Sequence, residues 1–163
     1  MGYTTDFDGF FTLDRPLTHE QREYLNAFAE TRRMKRNIKV VETLPDPRRI
    51  ITGLPIGSDG AYFVGGSGPA GQDRDSSVID FNCPPIGQPG LWCQWVPSED
   101  GTRIQWDGGE KFYSYVDWLH YLLNHFLIPW GYVLNGDVAF QGEDDNDRGV
   151  IMVRNNEVIV ETF

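Results

Sequence analysis

Apolar and polar positions alternate near the start of the chain. Phe7, Gly9, Phe11 and Leu13 fall on one side, and Asp8, Phe10 and Thr12 on the other. This period of two predicts a strand. Pro16 ends it, and Thr18 with Gln21 three residues later has the form of a capping box. Tyr24, Leu25 and Phe28 continue as one apolar stripe, so a helix is predicted through about residue 36. Arg32, Arg33, Lys35 and Arg36 would then occupy its last turns, where cations suit the negative end of the helix dipole, with Asn37 just beyond. The spacing of Phe112, Tyr115, Val116, Leu119, Leu122, Leu123 and Phe126 predicts a second helix over 110–127, stopped by Pro129.

Between and after these helices the pattern is that of short strands. Apolar runs at 61–64 and 78–81 punctuate a stretch, 44–90, that holds seven of the ten prolines and nine of the eighteen glycines. Runs at 91–96 and 102–106 flank a glycine-containing loop and read as a hairpin. Runs at 131–134 and 137–141 are separated by Asn135-Gly136, the strongest local hairpin signal, and those at 150–153 and 158–160 flank Asn155-Asn156. The expected architecture is α+β: an antiparallel sheet, built as a meander of hairpins, packed against two main helices. Its length of 163 residues suits one domain, 1–163, with a Gly/Pro-rich loop region at about 44–90.

Composition narrows the classes. Five Trp, seven Tyr and ten Phe supply an aromatic-heavy core. No apolar stretch is long enough for a membrane helix, and the first residues lack the basic and apolar regions of a secretory signal. Cys83 and Cys93 lack metal or redox spacing and read as reduced thiols of a cytoplasmic protein. The net charge of −10 argues against direct binding to nucleic acid or to an anionic membrane. Charge is unevenly placed: residues 14–50 hold nine basic and six acidic side chains, whereas Glu143, Asp144, Asp145 and Asp147 stand almost in a row.

No catalytic motif stands out. Gly66–Gly71 fits a GxGxxG pattern, but Pro69 lies inside it and no helix is predicted after it, which a pyrophosphate site would need. Residues 144–149 depart from a calcium loop because Arg148 takes a ligand position and Asn155 the place of the closing Glu. His120 and His125 point to different sides of a helix. The sequence calls for no cofactor and no metal. The candidate ligand or partner contacts are therefore Arg32, Arg33, Arg36 and Arg74 with Trp92, Trp95, Trp106, Trp118 and Trp130, since Arg and Trp dominate binding hot spots and stack on nucleobases.

Several phrases carry a resemblance: Gln88 to Trp95, Glu110 to Tyr113, Pro129 to Gly136 and Gln141 to Asp144, together with Thr31 to Arg36. In these the chain resembles a group of small proteins encoded in bacteriophage and prophage genomes, departing at Ala139-Phe140, where an aromatic closer to Trp is expected. The resemblance implies a phage origin and action in the host cytoplasm; it brings no activity and no site residue. The expected function is a binding protein that counteracts a host antiviral defence, by contacting a host protein or by sequestering a nucleotide-like small molecule. Two alternatives stay open: a hydrolase or transferase with a carboxylate/His site assembled from distant residues, which turnover lost on changing Glu143 or His120 would favour, and an acidic nucleic-acid mimic. Assembly into homo-oligomers is likewise left open.

Overall fold

A computed structural model describes residues 2–163. Its main elements are β1 (Asp6–Leu13), α1 (His19–Glu30), β2 (Lys35–Arg36), α2 (Ile38–Val41), α3 (Pro47–Thr52), β3 (Val78–Asp80), β4 (Trp95–Pro97), β5 (Arg103–Trp106), α4 (Tyr115–Leu122), β6 (Leu134–Gln141), β7 (Arg148–Arg154) and β8 (Glu157–Thr162). The fold is mixed α+β, with a six-stranded antiparallel sheet and a small two-stranded one. No helix among the described residues is long and apolar enough to cross a membrane. The chain forms two compact units, one of the residues up to Leu17 together with Gln94–Phe163, the other of Thr18–Cys93.

The first unit contains the large sheet, in the order β4-β5-β1-β6-β7-β8. The amino-terminal strand is thus inserted in the middle, paired with β6 over its whole length and with β5 on its other side. One face of the sheet is apolar: Phe11, Leu13, Ile104, Leu134, Val138, Phe140, Ile151 and Val153 are all buried. Phe7 stands at the centre of an aromatic cluster, edge-on to Trp95 (5.4 Å), Trp106 (5.3 Å), Phe112 (5.9 Å) and Tyr115 (4.9 Å). Edge-to-face pairs of this kind each contribute about 0.5–1.5 kcal/mol beyond their buried area. This unit holds fifteen acidic and five basic side chains, and so carries the whole net charge of −10.

Asn135-Gly136 does not turn the chain. Both residues lie inside β6, which runs unbroken from Leu134 to Gln141. Gly136 sits between Phe11 of β1 and Val153 of β7, with φ 141°, and a Cβ there would meet the Phe10 carbonyl oxygen at 2.7 Å and the Phe11 Cα at 2.9 Å. The glycine admits the neighbouring strand. The Asn135 side chain instead accepts the N–H of Asn155 (2.9 Å). Asn155-Asn156 does form the β7–β8 turn, both residues having positive φ (51° and 70°).

The second predicted helix is shorter than its apolar spacing suggests. Lys111 and Ser114 adopt left-handed conformations, so regular helix begins only at Tyr115 and Phe112 joins the aromatic cluster from a loop. After Leu122 the helix widens into a π turn, Leu123–Leu127, in which the Ile128 N–H donates to the Leu123 carbonyl five residues back (2.9 Å). The wider turn lets Leu123, Phe126 and Leu127 all be buried.

In the second unit the capping box at Thr18 and Gln21 is present, and α1 buries Tyr24, Leu25, Ala27, Phe28 and Ala29. The helix stops at Glu30 rather than near residue 36. The Thr31 hydroxyl donates to the Ala27 carbonyl (2.7 Å), Thr31 is extended, and Lys35–Arg36 become β2, paired with β3. Residues 61–64 form no strand: the N–H groups of Ala61, Tyr62 and Phe63 donate to carbonyls of the preceding turn (Ser58, Ile56 and Gly60), and side chains satisfy the rest. The Ala61 and Phe63 carbonyls accept Arg33, Gln88 also donates to Ala61, and the Val64 N–H donates to Asp46. Nine acidic and nine basic side chains balance one another in this unit.

Candidate functional site

The early end of α1 decides what each arginine does. Once α1 has ended, Arg33 and, past the register shift between Lys35 and Arg36, Arg36 both turn inward, and both are only 2% exposed. The Arg33 guanidinium donates to the carbonyls of Phe63 (2.9 Å) and Ala61 (2.6 Å) and to Gln88 Oε1 (3.3 Å), and lies 4.2 Å over the Phe28 ring. Arg36 Nη1 donates to Asp75 Oδ2 (3.1 Å) and Ser77 Oγ (2.7 Å), with the guanidinium 4.8 Å over Phe63. Burial pushes the Asp75 carboxyl up, but hydrogen bonds from Ser77 and Arg36 outweigh it and hold it below its ordinary value. These two arginines organise the Gly/Pro-rich loops. Their burial removes them from the candidate contact surface.

Arg32 behaves differently. Its N–H donates to the Ala70 carbonyl (3.0 Å), which brings the glycine-rich loop and Arg74 alongside. Pairing of β2 with β3, extended by the Lys35 N–H to the Cys83 carbonyl (2.8 Å), places Phe81 beside Arg32. The Arg32 guanidinium lies 4.0 Å over the Phe81 ring and the Arg74 guanidinium 4.2 Å from the same ring's centre. Arg32 Nε donates to the Phe81 carbonyl (3.0 Å), Nη2 to Asn82 Oδ1 (3.2 Å), and the Trp92 ring is 6.0 Å away. Among the described residues neither guanidinium forms an ion pair with a carboxylate. Partial burial and then repulsion from Arg74 lower the Arg32 pKa. Two cations therefore share one aromatic ring, Arg32 also held by two neutral acceptors, the Phe81 carbonyl and Asn82 Oδ1, with Arg74 exposed and Arg32 and Trp92 half-buried. Such an arrangement suits an anion: a phosphate would relieve the repulsion and take bidentate hydrogen bonds from a guanidinium fork.

The other tryptophans are placed elsewhere. Trp95 is buried, its Nε1 donating to the Tyr115 carbonyl (2.8 Å). Trp118, on α4, is 0% exposed. Trp106 is half-buried, its Nε1 shared between Gln94 Oε1 (3.2 Å) and the Gly109 carbonyl (3.1 Å), and Trp130 packs 5.6 Å from Phe126. All four belong to the packing of the sheet-containing unit. Of the candidate contacts, the second unit brings Arg32, Arg74 and Trp92 together. Phe81 and Asn82 complete the group and were not foreseen, because the run 78–81 reads as ordinary strand. They lie in the turn just after β3, beside a residue some fifty positions away, and only the fold reveals them.

His120 is exposed, and His125 stacks on Tyr121 (4.0 Å). Glu143 accepts the Thr4 N–H (2.7 Å). No group of three His, Cys, Asp or Glu side chains among the described residues is placed to hold a metal. Comparison with protein families, with curated proteins and with solved structures finds no match to this chain.

Proposed function

We propose that this chain is a binding protein whose Arg32–Arg74–Phe81 cluster captures a nucleotide-like small molecule, the phosphate at the guanidiniums and the planar base against Trp92. The observation that carries the reading is the pair of guanidiniums on one ring without a carboxylate partner, in a chain of net charge −10. Such an electropositive spot costs electrostatic energy while empty, and an anion recovers it. The resemblance to phage-encoded proteins gives the capture a purpose: removal of a host signalling nucleotide in the host cytoplasm, against an antiviral defence. Calorimetric titration with AMP and with adenosine tests this. AMP is expected to bind at least tenfold more tightly than adenosine. Equal affinity, or no heat with either, overturns it.

A second reading, contact with a host protein, is favoured by exposed isoleucines of the same unit: Ile38, Ile50, Ile51, Ile79 and Ile86. Apolar side chains left in water mark contact surfaces when they are contiguous. Recovery of one stoichiometric host protein from lysate, lost on Ile50→Glu/Ile51→Glu and kept in Arg32→Ala/Arg74→Ala, would decide for it.

A further inference from the structure

The large sheet ends in two unlike edges. At one, β4 is three residues long and finishes in Pro97. At the other, β8 has six residues, Glu157–Thr162, with no proline, lysine or glycine, and pairs with β7 without a bulge. Edge strands are normally shortened, charged with lysine, kinked or covered, because an open edge is a template for another strand. On β8 proline, lysine, a bulge and shortening are absent, and the charge present is that of Glu157 and Glu161; Ile159 is 42% exposed, Val160 40% and the following Phe163 71%.

Register defines what the edge offers. The Phe163 N–H donates to the Arg148 carbonyl (3.0 Å), so odd-numbered residues of β8 turn their main chain towards β7. The N–H and C=O groups of Val158, Val160 and Thr162 therefore point outward. Val158 and Val160 stand opposite buried Val153 and Ile151, so their side chains extend the apolar face of the sheet. Glu157, Ile159 and Glu161 occupy the other face. Neither glutamate forms an ion pair among the described residues; Arg154, opposite Glu157, is engaged by Asp137 (2.7 Å).

We propose that the β8 edge receives an extended segment of a partner protein in which cationic and aliphatic side chains alternate. Its main chain would hydrogen-bond to Val158, Val160 and Thr162. Its aliphatic side would continue over the two valines, and its Lys or Arg side chains would meet Glu157 and Glu161. Charge selects this occupant over a second copy. Self-pairing brings together two units that each carry −10, and in the register centred on Ile159 it also sets Glu157 against Glu161.

The test uses the full chain, ¹⁵N-labelled, and a synthetic heptapeptide of alternating lysine and valine. The peptide is expected to slow exchange of the Val158, Val160 and Thr162 amides at least tenfold. The same peptide with glutamate for lysine should bind at least tenfold more weakly, and Glu157→Lys/Glu161→Lys should reverse that preference. Val160→Pro, which removes only an outward N–H, should abolish slowing at Val158 and Thr162 while leaving β6 and β7 amides protected. Three results overturn the proposal: no slowing at saturating peptide, equal slowing by the glutamate peptide, or slowing without peptide accompanied by a doubled mass.

Discussion

Replacing Gly136 with alanine separates a strand position from a turn position. In a two-residue hairpin turn this glycine would need only positive φ, and alanine there costs on the order of 1 kcal/mol. Inside β6 the same substitution also drives a methyl group onto main-chain atoms of β1, the Phe10 oxygen at 2.7 Å and the Phe11 Cα at 2.9 Å. Neither can rotate aside, so β1 must move away from β6 along a pairing that spans Asp6–Leu13. Steric overpacking of this kind costs about 1–3 kcal/mol. With the conformational cost, the expected loss is roughly 2–4 kcal/mol. Urea denaturation followed by tryptophan fluorescence measures it, since Trp95 and Trp106 lie on Phe7 of β1. A loss below about 1 kcal/mol would refute the placement of Gly136 between β1 and β7.

Arg33→Met removes a buried cation together with the donors that satisfy the Ala61 and Phe63 carbonyls. Gln88 still serves the Ala61 carbonyl, but leaving the buried Phe63 carbonyl without its donor costs about 1–3 kcal/mol, and the loss should appear as a lower urea midpoint with broadened amide signals in loops 61–64 and 84–90. Asp75 has a depressed folded pKa, so its contribution is fully present above the ordinary value of 3.8 and is lost as pH falls through the lower folded value. Asp75→Asn should therefore be less stable at neutral pH, and the gap from the parent should narrow as acid titration passes below pH 3.8. A constant gap across that window would contradict the assignment.

Signals whose partners lie within a few residues were legible in the sequence. The Thr18–Gln21 capping box, the Asn155-Asn156 turn and the alternation of β1 each form as read, since they depend on local geometry alone. Signals that depend on what lies opposite were not. Asn135-Gly136 became strand because β1 inserts beside it, and residues 61–64 bond to the preceding turn and to buried arginine and glutamine side chains rather than to a strand. The basic run 32–36 shows the consequence for function. Read as a helix end, it spreads four cations towards solvent; as extended chain, it buries Arg33 and Arg36 and leaves Arg32 to meet Arg74 across Phe81. Phe81 was invisible as a site residue because its role comes from tertiary contact in the turn after β3 rather than from type or spacing.

The binding account rests on Arg32 and Arg74 acting on one anion. A double-substitution cycle of Arg32→Ala and Arg74→Ala, read as pyrophosphate affinity by calorimetry with folding checked by urea midpoint, tests this most directly. Each single variant is expected to bind at least tenfold more weakly with its midpoint nearly unchanged, and the double variant to lose less than the product of the two, as groups sharing one ligand do. Unchanged affinity in the double variant, or no pyrophosphate binding by the parent chain, would contradict the account.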